Sequence, residues 1–315
     1  MSDTAPALPR LPRELYTPSL VGAASCIGYA VGLFVVPAWL AVKLVSSPVA
    51  LALRIPGVLA LLLVAQQGIH LLGWVGHEGF HFNLHRNRYI SALLGIFFSS
   101  MVLSFFQVGV GPTHWVHHRY TNRPEDPDWR IFSRYQTLGR RLLLGRARAN
   151  RVFLRNLLEV ALGRELDFPH VVPFRPAELR ALAWVNIACA LLWLSVYVTI
   201  TVRSPLAGLV GILLPHVLGF FFSGPRPYVE HAGTGVGQGR DARTCSSKFM
   251  TVLFMGNNFH LEHHLYPAIP CYRLPSVHRY LAEQGFFERE GIPIETTVRG
   301  AYAHATGRSR YTSYV

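Results

Sequence analysis

Three short histidine runs carry the chemistry of this chain: His77-Glu-Gly-Phe-His81, His114-Trp-Val-His117-His118 and His260-Leu-Glu-His263-His264. On a helix, residues i and i+4 share a face and i+3 lies beside them. The first run therefore aims two imidazoles one way, and each of the others aims three. Neutral imidazole is the commonest metal-binding side chain. Eight converging rings exceed the four ligands of a tetrahedral zinc and suit two ions in a shared cage. Imidazole accepts iron, copper, zinc and nickel alike, so spacing alone leaves the metal open. The first run also fits His-Glu-x-x-His, the zinc-protease pattern with glutamate as general base. That reading leaves six histidines without a role.

The elements that must position these runs are apolar. Of 315 residues, 50% are hydrophobic and only 15% charged. Apolar stretches run over Leu20–Val45, Gly57–Gly76, Ile90–Val110, Ala181–Val202 and Leu206–Phe222. A membrane helix takes about 20 apolar residues, so the chain is expected to be an all-α integral membrane protein. A polar, proline-rich tail (residues 1–18) without a cleavable signal peptide is expected to precede a single catalytic domain over 19–315.

A shared site requires all three runs on one side of the membrane. If Ile90–Val110 crossed, the first two runs would face opposite compartments. That stretch is therefore expected to be interfacial, re-entrant or packed inside the protein, leaving four spans in two hairpins. The basic residues agree, since 27 of 30 lie before Pro18, within 77–180 or after residue 223. Positive residues mark the cytoplasmic side of membrane spans, which places both termini and the histidines there, at the inner membrane in a bacterium. Topology thus accounts for most of the net charge of +13, and nucleic acid is not needed to explain it. A smaller share would attract anionic headgroups or an acidic carrier. Between residues 120 and 180, prolines break an Arg-rich stretch with recurring leucines, the pattern of helices lying on the membrane surface. Cys26, Cys189, Cys245 and Cys271 show no paired spacing and read as reduced, small hydrophobes.

The runs extend into longer motifs. HEGFH, HWVHHRYTN and HLEHHLYP resemble the three histidine boxes of membrane fatty acid desaturases and related hydroxylases. His117-His118-Arg-Tyr-Thr-Asn122 with Asp126-Pro-Asp128 is similar to the second box and its acidic tail. Asn257-Asn-Phe-His260 through Pro267 is similar to the third. The resemblance covers roughly Gly57 to Leu281. It implies two non-haem irons, O2 as co-substrate and about nine histidine ligands: the eight above and one upstream of box three, here His231. In the related pattern an Asn stands four residues before this histidine; this chain has Pro227.

Glu78, Glu230 and Glu262 each adjoin a proposed ligand and are expected to accept an imidazole N–H. Asp126 and Asp128 are expected to orient the second box, although Pro-Glu-Asp-Pro-Asp also reads as a plain turn. His70 and His216 read as packed core groups and His85 as a surface residue. His170, His278 and His304 show no cluster. Trp115, Trp129 and Tyr266 either line a substrate channel or anchor the interface. The resemblance implies a desaturase acting on an acyl chain linked to CoA, a carrier protein or a glycerolipid. The alternatives are a lipid, alkane or carotenoid hydroxylase or ketolase and, more remotely, a membrane zinc protease or non-catalytic metal binder. No cytochrome b5-like His-Pro-Gly-Gly segment and no dinucleotide fingerprint is present. The glycine-rich Gly233–Gly239 segment has the wrong spacing for one and reads as a flexible loop or lid. Electrons are therefore expected from a separate ferredoxin or cytochrome with its reductase.

Overall fold

The computed structural model describes residues 8–103 and 105–311. Residues 1–7 of the expected tail, and Ser104 in the third apolar stretch, lie outside the described residues. The described chain is all-helical, with only the isolated bridges Thr244–Phe259 and Cys245–Glu295. Four helices in it are long and apolar enough to cross a membrane.

The first two, α1 (Leu20–Val45) and α2 (Leu51–Phe80), form a hairpin. Ser19 caps α1 by accepting from the Gly22 N–H at 3.0 Å, which satisfies one orphan donor of the first turn. The third apolar stretch is broken rather than spanning. It forms α3 (Arg88–Ser99), a reversal, and α4 (Gln107–Tyr120). Next come α5 (Pro127–Phe132) and α6 (Arg146–Ala161), then the spans α7 (Pro176–Arg203) and α8 (Ala207–His231). A short helix, α9 (His260–Leu265), carries the third box, and α10 (Leu274–Glu283) packs behind it.

The third stretch packs one face inside the protein and leaves Ile90, Leu93 and Phe97 of α3 exposed. Ala92, Ile96 and Val108 are buried against Phe80 and Leu182. The reversal is held from α7, where buried Asn186 accepts from the Val108 N–H at 2.9 Å and donates to Ser100 Oγ at 3.1 Å. One polar side chain thus stands in for the missing turn at the start of α4. Apolar residues on α7 face outward: Leu191 is 60% and Val202 75% exposed. Continuous apolar faces of this kind mark a surface that meets lipid or another protein. Arginine-rich α6 buries Phe153 and Leu157 and leaves Leu154 and Leu158 exposed, as expected for a helix on the membrane surface.

Two spans run further than the apolar runs that predicted them. Both α2 and α8 continue into polar sequence and end on site residues, at Phe80 next to His81 and at His231. His117 lies between them, 4.7 Å ring to ring from His231 and 5.6 Å from His114, which is itself 4.5 Å from His77. Both spans therefore end at the same face, as two hairpins require.

Box one is set by a close helix crossing. A Cβ on Gly79 would lie 2.7 Å from Gly95 Cα, and one on Gly95 would lie 2.9 Å from Gly79 Cα. Only glycine on both helices lets α2 and α3 touch there. Gly79→Val is expected to destabilise the protein by about 3 kcal/mol through overpacking and to loosen His77 and His81. Thermal unfolding in detergent measures this, and an unchanged midpoint would refute the crossing. All four cysteines are free; Cys26 and Cys271 are buried with their sulfurs 4.0 Å apart.

Candidate metal centre

The nine histidines singled out from the sequence converge in two groups. His77, His81, His114, His118 and His263 form one, and His117, His231, His260 and His264 the other. Within each group one ring nitrogen per residue lies within 4.8 Å of all the rest. The groups abut where the rings of His118 and His264 approach to 4.3 Å. The i, i+4 geometry of α2 and α4 and the i, i+3, i+4 geometry of α9 aim the boxes inward.

The outward nitrogens fix which way the lone pairs point. His77 Nδ1 donates to Glu78 at 3.1 Å, His117 Nδ1 to Asp126 at 3.0 Å, and His231 Nδ1 to the Asp241 carbonyl at 2.8 Å. Each bond leaves Nε2 as an acceptor facing the interior. Nε2 atoms meet in close pairs: His114–His118 at 2.9 Å, His118–His263 at 3.0 Å, His231–His260 at 2.9 Å and His260–His264 at 3.2 Å. Where both rings keep Nε2 as the acceptor, as ligation of a metal requires, lone pairs so close repel unless a cation holds them. Nitrogens about 2.1 Å from a shared ion lie about 3 Å apart when their bonds meet near right angles. Both ring nitrogens of buried His81 and Nε2 of His77 have no hydrogen-bond partner among the described residues. The donor set therefore fits two metal ions.

Electrostatics favours the neutral, ligating form. Burial, reinforced by neighbouring rings, holds His81, His114, His118, His260, His263 and His264 well below the ordinary imidazole range. Metal binding there need not displace a proton. His117 differs. Burial again opposes its charge, but Asp126, helped by Asp128 and Asp241, outweighs that and raises it to about 9. An imidazole sharing Nδ1–H with a carboxylate is also the more basic ligand through Nε2.

The acids divide. Glu78 and Asp126 hold imidazoles as expected. Glu230 lies 3.4 Å from His260 Nδ1, but its main partner is Arg226. Glu262 accepts from Thr244 and from His278 Nδ1, so it braces α9 against α10 and touches no clustered ring. At about 100° per residue, Glu262 leaves α9 on the face opposite His260, His263 and His264. Asp128 likewise holds no imidazole among the described residues. Its N–H donates to Asp126, its side chain faces the cavity described below, and burial raises it to about 6.

The zinc-protease arrangement is not formed. Both Glu78 oxygens are engaged, by His77, by Asn83 and by the Cys271 N–H, so it is not free to act as a base on water. Among the remaining histidines, His70 accepts from Trp74 Nε1, His85 from the Asn87 N–H, and His216 meets the carbonyls of Ile212 and Met101. None of these three joins either group. Trp115 lies 5.4 Å from the His81 ring, and Tyr266 bonds the Pro9 carbonyl.

Several working residues escaped sequence reasoning. The Asp241 carbonyl orients His231, and no residue type signals a backbone acceptor. Asn122, at a left-handed φ of 62°, donates to Thr234 and to the carbonyls of Gly235 and Asp241. The start of the glycine-rich segment is therefore tied to box two. Trp74 packs 4.5 Å from the His77 ring, and Arg226 stacks on it.

A cavity reaches the cage from inside the bundle. His77, His114, His117, His231 and His260 line it at the cage, and Ile69, Val102, Leu103, Phe105, Phe153 and Phe220 line its apolar walls. A helical membrane fold with a buried, all-imidazole cage open to an apolar cavity defines a class of membrane metalloenzyme. Comparison with protein-family models matches fatty acid desaturase over residues 52–297, and the chain belongs to that family. No curated protein matches the chain. Family membership makes it a membrane oxidoreductase of acyl lipids, in a family that is typically metal-dependent.

Proposed function

We propose that the chain is an O2-dependent, di-iron desaturase that introduces a double bond into an acyl chain. The observation that carries this reading is that both all-imidazole groups open onto one apolar cavity. We assign His77, His81, His114, His118 and His263 to one ion and His117, His231, His260 and His264 to the other. Family membership supports iron among the metals imidazole accepts. Irons bound there would supply O2 activation and the oxidising strength to take hydrogen from an unactivated methylene.

The chain's own residues do the positioning. Glu78, Asp126 and the Asp241 carbonyl lock three tautomers, so the cage needs little reorganisation on binding. Trp74, Phe105 and Phe153 wall off water and confine the chain beside His77 and His114, where a displacement of about 1 Å is costly. One O2, two methylene hydrogens, two electrons and two protons yield the alkene and two waters. The electrons come from a separate ferredoxin or cytochrome with its reductase. The basic flanks support a cytoplasmic cage and cytoplasmic termini, at the inner membrane of a bacterial cell, and we treat 19–315 as one catalytic domain.

Lipid extracts of cells with and without the chain provide the test. New double bonds in acyl chains, lost in a His114→Ala strain, are expected. New hydroxyl or keto groups without double bonds would overturn the desaturase in favour of a hydroxylase or ketolase built on the same cage.

A further inference from the structure

Most of the described arginines turned into this protein are satisfied; Arg148, whose buried Nε has no partner, lines a separate pocket away from the cage, and Arg146 faces the cage's own cavity. Fully buried Arg141 donates to the carbonyls of Tyr135, His304, Ala305 and Ser309. Arg226 pairs with Glu230 and donates to the Asn257 carbonyl. Arg243 donates to the carbonyls of Val229 and Ala232. Arg146, on the first turn of α6, lines the same cavity as the cage and makes no hydrogen bond or ion pair among the described residues. Of the carboxylates on that cavity wall, Glu230 is taken by Arg226. Asp128 forms no ion pair with Arg146, and the opposite charge that acts on its carboxyl is that of His117. Burial alone lowers the Arg146 guanidinium, to about 10, so it stays charged at neutral pH without a counterion. Half-buried and facing the cavity, Arg146 presents an unpaired cation there. Such a charge is retained where a ligand supplies the missing partner, and guanidinium matches the paired oxygens of carboxylate and phosphate. Leu143 and Leu144, just before it, are exposed, the pattern of a surface-lying helix whose apolar side chains meet lipid.

We propose that Arg146 is the headgroup site of the substrate, binding the anionic oxygens of a carboxylate or phosphate while the hydrocarbon chain runs along the cavity to the cage. This rests on the acyl-chain reading above and narrows it to a lipid bearing an anionic head close to its chain. Such a lipid is the product of a reaction that hydrolyses an acyl ester or phosphorylates a lipid hydroxyl.

The test uses the purified full chain in detergent and compares binding of palmitate, hexadecyl phosphate and hexadecanol. Wild type is expected to bind one or both anions at least tenfold more tightly than the alcohol, and the better anion identifies the source of the head. Arg146→Gln is expected to erase that preference while leaving hexadecanol binding unchanged, and Arg146→Lys to keep part of it. Equal binding of all three probes by wild type, or an anion preference that survives Arg146→Gln, would overturn the headgroup assignment alone. Failure of wild type to bind any of the three would overturn the acyl-chain reading and this assignment with it.

Discussion

His231→Ala is expected to lower turnover by about 10³-fold or more, the loss of several kcal/mol of metal-centred stabilisation. Metal content is expected to fall from about two ions per chain to about one. The reason is the unequal division of the cage. His231 belongs to the group with only four members, and its Nε2 lies 2.9 Å from that of His260. Three imidazoles remain after the substitution, His117, His260 and His264, one ligand fewer in the smaller group. The five-histidine group is untouched and should keep its ion. Metal analysis of purified variants reads the two groups separately. His85→Ala is the control, because that ring only accepts from Asn87 N–H outside the cage; its metal content should match wild type. Full metal content in His231→Ala would remove His231 from the ligand set.

Asp126→Ala should produce the second largest effect, because one side chain does three things. It accepts from His117 Nδ1 at 3.0 Å, from the Asn122 N–H at 2.9 Å and, as the cap of α5, from the Asp128 N–H at 2.9 Å. Losing the first frees the His117 ring and weakens its Nε2 as a ligand, at about 10–100-fold in metal affinity. Losing the third costs about 1 kcal/mol of helix capping. The two contributions separate in Asp126→Asn, which keeps an oxygen for the cap but no charge for His117. That variant should regain most of the thermal stability and little of the metal affinity. Chelator competition and thermal unfolding measure the two. If Asp126→Ala holds metal as tightly as wild type, the carboxylate does not tune the cage.

The parts legible in the sequence were those written in local periodicity. The spacings HxxxH and HxxHH mark faces of α2, α4 and α9, and those faces converge. The apolar runs located four spans, and the single-face requirement excluded a fifth. Span ends were misplaced because α2 and α8 stay helical into polar sequence, where ligands replace leucines. His231 has no neighbouring histidine, so only resemblance to a known family pointed to it. Residues acting through backbone groups or across long separations left no local signal. The Asp241 carbonyl on His231, Asn186 on the start of α4 and the Gly79–Gly95 contact belong to this class. Glu262 adjoins a ligand in sequence but lies on the opposite face of α9, where the imidazole it meets is that of His278; Asp128 turns to the cavity because the Asp126 side chain already takes both its N–H and His117.

The desaturase assignment stands on two ions held by imidazole alone, and X-ray absorption at the iron edge of the reconstituted protein reads that ligand set. About two irons per chain are expected, each ringed by nitrogen at about 2.1 Å with the outer-shell scattering of four or five imidazoles. A single metal per chain, or a spectrum dominated by carboxylate oxygens bridging the irons, would contradict it.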